Sequence, residues 1–157
     1  MPDNDTILTS FPISDFIHSY ERRKNNHDYQ APFKYHIILK KQDSFPDFGK
    51  VTRDASIPPG KTGCAKISLS PCGVIIRKAL FRFNDLNRQI NLLQFCIMPD
   101  HVHFLVHVTE RLPKHLGHYV GGLKATIAEG YSLSQKKTIM ADEIFKPNYT
   151  DKIIWSS

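Results

Sequence analysis

The sequence predicts an α+β fold, an antiparallel sheet with helices packed on one of its faces. Three observations carry this. KYHIILK (34–40) and HVHFLVHV (101–108) alternate their side chains with the period of a strand. SPCGVIIRKALFRFNDL (70–86) and LPKHLGHYVGGLKATIAEGY (112–131) repeat apolar residues with the period of a helix. The helices fall between the strands, the order that lays helices against one side of a sheet.

The 157 residues suit one domain. Residues 1–33 read as a polar leader, in which Arg22, Arg23 and Lys24 form an exposed charged run. The folded domain is expected over 34–157. No stretch reaches the roughly 20 apolar residues that span a bilayer, and the start lacks the basic-then-apolar pattern of a signal peptide. Cys64, Cys72 and Cys96 show no CxxC spacing, so they read as reduced thiols and the protein as cytoplasmic. Lys and Arg outnumber Asp and Glu by 21 to 15, a basic balance that favours polyanionic partners, nucleic acid first.

In KYHIILK, Tyr35, Ile37 and Leu39 share one face. DSFPDFGKVTRDASIPPGKTG (43–63) is broken by Pro46, Pro58, Pro59, Gly60 and Gly63 and reads as a long loop, with a short strand at AKISL (65–69). Ser70 then fits an N-cap and Pro71 the first helical position. Cys72, Ile75, Ile76, Ala79, Leu80 and Phe83 form the buried stripe, while Gly73 weakens the first turn. NLLQFCIM (91–98) and HVHFLVHV, joined by Pro99-Asp100, form an antiparallel hairpin. In the second helix Leu116, Val120, Leu123, Ile127 and Tyr131 make the stripe, and Gly121-Gly122 allow close packing on the sheet. The tail ends in Ile153-Ile154-Trp155, the entry to another element. This order fits a ferredoxin-like sandwich built on a split βαβ arrangement.

The second hairpin strand carries the chemistry. His101, His103, Leu105 and His107 point one way, and Val102, Phe104, Val106 and Val108 the other. The wholly apolar set faces the helices, so the histidines stand on the open face. Two imidazoles two residues apart on a strand face can converge on one ion, leaving positions for substrate oxygens, although an HxH pair by itself is more often structural or solvated. His107 shares the face but lies too far along the strand for the same ion. Neighbouring motifs of other HxH chemistries are missing: no HxE with PCxxC, as in zinc deaminases, and no HxHxDH.

IMPDHVHFLV (97–106) resembles the signature of single-tyrosine HUH transposases, the IS200-like and REP-associated tyrosine transposases. FPDFG (45–49), LPKHLGHYVGGLKA (112–125) and IFKPNYTDKII (144–154) are similar as well, so the resemblance runs from Lys34 to Trp155. It implies that His101 and His103 are catalytic metal ligands for Mg²⁺ or Mn²⁺. It implies cleavage and strand transfer of single-stranded DNA hairpins, in DNA transposition, through a phosphotyrosine intermediate and in a homodimer. The family's nucleophile lies on a helix beyond DKII. No tyrosine here matches it, and the domain reads as C-terminally incomplete. Tyr131 falls on the core stripe and Tyr149 in a loop without a motif, so the nucleophile stays unassigned. The alternative is a hairpin-binding remnant that does not cut. Lys124, Lys136 and Lys137 are expected at the surface as DNA contacts.

Overall fold

A computed structural model describes residues 5–7 and 27–154. Most of the polar leader, with Arg22, Arg23 and Lys24, lies outside the described residues, as does Trp155. The elements are β1 (Asp5–Ile7), β2 (Lys34–Lys40), β3 (Gly49–Arg53), β4 (Ala65–Leu69), α1 (Pro71–Leu86), β5 (Ile90–Ile97), β6 (His101–Val108), α2 (Leu116–Gln135), α3 (Ala141–Ile144) and β7 (Thr150–Ile154).

The main sheet has the order β5-β6-β2-β7, antiparallel throughout. With α1 and α2 as its crossovers this is the expected α+β arrangement. The alternation in β6 is complete: Val102, Phe104, Val106 and Val108 are buried and the residues between them half-exposed. Tyr35, Ile37 and Leu39 of β2 continue the same apolar face. Phe83 of α1 meets Phe104 edge-on at 6.4 Å, and α2 adds Leu116, Val120, Leu123 and Ile127 to that core.

Helix α1 starts as its sequence requires. Ser70 Oγ accepts from the Gly73 N–H at 3.1 Å, with Pro71 in the first turn. Gly73 is there for space: a Cβ would land on the Phe48 carbonyl oxygen. In α2, Gly121 and Gly122 are exposed, and a Cβ on either meets nothing within 4 Å. The expectation that they seat the helix on the sheet is corrected. Gly130 marks the tight contact, its would-be Cβ 3.1 Å from Ile75 of α1.

The long loop is the other correction. AKISL is β4 as expected, but GKVTR pairs with it as β3, and β1 joins the far edge to make a second sheet. In β3 only Gly49 is buried, so it carries no apolar alternation to mark it. The last strand, β7, lies against β2 with Ile38 opposite Thr150 and Lys34 opposite Ile154.

Candidate functional site

The β5–β6 turn is held from outside the hairpin. The Met98 N–H donates to the His101 carbonyl at 2.8 Å, closing the turn. The Lys41 N–H donates to the Asp100 carbonyl at 2.9 Å and the Phe48 N–H to the Pro99 carbonyl at 2.8 Å. Phe48 is fully buried, so the FPDFG segment is the clamp that fixes where β6 begins.

From that turn His101 and His103 project together, ring centroids 5.4 Å apart and planes inclined by 38°. His101 Nδ1 lies 2.7 Å from Asp100 Oδ1. This contact holds the exposed Asp100 carboxyl below the usual carboxylate range. His103 Nδ1 lies 3.2 Å from Nε2 of His36, on the neighbouring strand β2. Burial, with the nearby His101, pushes the His103 imidazole down to about 4, so it is neutral at pH 7. Burial, then His103 and Lys152, pushes His36 down to about 4 as well. Each of the two rings thus meets a partner through Nδ1.

The surroundings are basic. Lys40 is exposed directly opposite His101 in the sheet, and Ile38 lies opposite His103. A cleft of about 450 Å³ adjoins these two residues and is completed by Lys146, Asn148, Tyr149 and Thr150 among others. Cys96 is opposite His103 on β5, with burial raising its thiol.

The other expected residues separate from this centre. Lys124 was expected at the surface, but it is buried, and its Nζ donates to the carbonyls of Lys146 (3.1 Å) and Asn148 (3.4 Å). That is an anchor for the turn before β7, and it corrects the placement of Lys124 as a solvated phosphate contact. Lys136 caps the far end of α2 in the left-handed conformation, φ 55°. Lys137, also exposed, lines a different cleft with Phe45, Tyr131, Asp142 and Glu143. Tyr131 packs edge-on against Phe45 at 5.5 Å, in line with its place on the stripe. The Tyr149 hydroxyl is buried near Gly117 at the start of α2. His36 was missed; the signal was its place between Tyr35 and Ile37, which puts it on the histidine face once β2 lies beside β6.

Two imidazoles on one strand face, each meeting a partner through Nδ1, fit the nitrogen donors of a divalent metal site. Among the described residues no group of three or more His, Cys, Asp or Glu is placed to hold an ion. Among the described residues no helix is long and apolar enough to cross a membrane.

Comparison with known proteins gives two structural matches and one family match. A solved structure of a REP-associated tyrosine transposase bound to a REP hairpin matches with TM-score 0.55 at 9% identity, over 85% of this chain and 63% of that one. The chain therefore spans less than two thirds of that relative. A crystal structure of a Deinococcus radiodurans protein described as a transposase matches with TM-score 0.45 at 17% identity, over 82% of this chain and 83% of that one. No curated protein sequence matches the chain. The family model for IS200-like transposases matches residues 76–154, half of the sequence, including the PDHVH turn and strand. The chain belongs to the IS200-like transposase family.

Proposed function

We propose that this chain works on single-stranded DNA as an HUH-type transposase, cutting and rejoining a hairpin substrate through a phosphotyrosine. The observation that carries this reading is the His101–His103 pair on the β6 face opposite the apolar core, both rings meeting a partner through Nδ1, Asp100 for one and His36 for the other. A bound Mg²⁺ or Mn²⁺ would polarise the scissile phosphate and offset its developing charge. His101 and His103 would hold that ion. Lys40, opposite His101 on the neighbouring strand, and Lys146 in the adjoining cleft would meet phosphates of the bound strand.

The nucleophile is not assigned. The Tyr149 hydroxyl is buried and Tyr131 is packed against Phe45, so neither is presented beside the histidines. That observation favours a second reading, a hairpin-DNA-binding protein without cleavage. One experiment separates them: a DNA hairpin incubated with the protein and Mn²⁺, then denatured and resolved by size. A covalent adduct supports the transposase reading. Salt-sensitive binding without an adduct supports the second, and hydrolysis without an adduct points to a metal-dependent phosphoesterase. No binding and no cleavage overturns both proposals. Sedimentation of the same protein tests the homodimer that the family resemblance implies.

A further inference from the structure

His36 lies outside the segment matched by the family model, on a central strand of the sheet, and is only 6% exposed. In register it faces Leu105, with Ile38 facing His103, so His36 and His103 are diagonal neighbours on the same face of the sheet. Such neighbours are within reach of long side chains. Here they meet, Nε2 to Nδ1 at 3.2 Å, with ring planes inclined by 62°. Building on the metal reading above, we infer that His36 is the positioning residue for His103, fixing the ring and the tautomer that turn Nε2 toward a divalent ion.

The proton count decides the direction of the bond. A neutral imidazole that offers Nε2 to a cation carries its proton on Nδ1. His103 Nδ1–H then donates to His36 Nε2, and His36 keeps its own proton on Nδ1. In the reverse arrangement His36 Nε2–H donates, the His103 proton moves to Nε2, and the metal face is blocked. A hydrogen-bond acceptor at position 36 is therefore required. Lys152 faces His36 from β7.

Two measurements test this. Long-range ¹H–¹⁵N spectra of the metal-free wild-type protein at pH 7.5 report the tautomer directly, and Nδ1–H on His103 is expected. Mn²⁺ titration is then compared among wild type, His36→Leu and His36→Gln. Loss of an oriented second-shell partner typically weakens metal binding about 10–100-fold, so His36→Leu is expected at least tenfold weaker. His36→Gln, whose carbonyl oxygen accepts, stays closer to wild type than to His36→Leu. An Nε2–H tautomer on wild-type His103 overturns the inference whether or not the variants fold. So does unchanged Mn²⁺ affinity in a folded His36→Leu, a result that leaves the transposase reading intact. Wild-type protein that binds no Mn²⁺ overturns both.

Discussion

Asp100 Oδ1 lies 2.7 Å from His101 Nδ1, while the Asp100 carbonyl accepts from the Lys41 N–H. Side chain and main chain of one turn residue therefore have separate tasks. Asp100→Ala is expected to weaken Mn²⁺ binding about tenfold through the freed His101 ring. Because the side chain is exposed, unfolding free energy should move by no more than about 0.5 kcal/mol. Calorimetric titration and urea melts check the two halves. Unchanged metal affinity would reduce Asp100 to a turn-former.

Acid should loosen the fold through the same histidines. Burial, aided by neighbouring positive charge, lowers His36 and His103 from 6.5 to about 4. Between those values the unfolded chain binds more protons than the folded one, so stability rises with pH there. It is fully present above 6.5 and is lost as pH falls toward 4. Urea midpoints at several pH values should show this slope, and a His36→Gln/His103→Gln double variant should flatten it. Equal slopes in the two proteins would remove these residues from the account.

Two glycines should respond in opposite directions. Gly121→Ala adds a methyl to open space in mid-helix and is expected to stabilise by about 0.5–1 kcal/mol. Gly73→Ala drives a Cβ into the Phe48 carbonyl, beside the clamp on the β5–β6 turn. It should destabilise by about 1–3 kcal/mol. Chemical denaturation of both variants distinguishes them, and a shared sign would contradict the packing described here.

Lysines divide in the same way. Lys124→Met leaves two inward carbonyls without their donor, with an expected cost of about 1–3 kcal/mol and no effect on the salt dependence of DNA binding. Lys40→Ala should leave stability nearly unchanged and reduce the salt slope for single-stranded DNA by about 0.7. Binding isotherms at several salt concentrations provide the test. A lowered slope in Lys124→Met would return that residue to the DNA surface.

What the sequence revealed, and what it hid, follows from period and range. The β6 alternation and the Ser70-Pro71 start of α1 are local patterns, and the structure carries them as read. β3 escaped because four of its five residues are exposed and nothing marks a buried side. Lys124 escaped because its partners are main-chain carbonyls 22 and 24 residues away. His36 escaped for a related reason: its neighbour His103 is 67 residues distant, and only the strand order joins them. The glycine pair misled because two adjacent glycines suggest close packing, whereas Gly130, standing alone, provides it.

On the reading proposed above, His101 and His103 hold one divalent ion between them. Mn²⁺ titration of the wild-type protein and the two single variants, His101→Ala and His103→Ala, tests it most directly. One ion per chain is expected in wild type, with loss of that site in both variants. A stoichiometry and affinity that survive either substitution would contradict it.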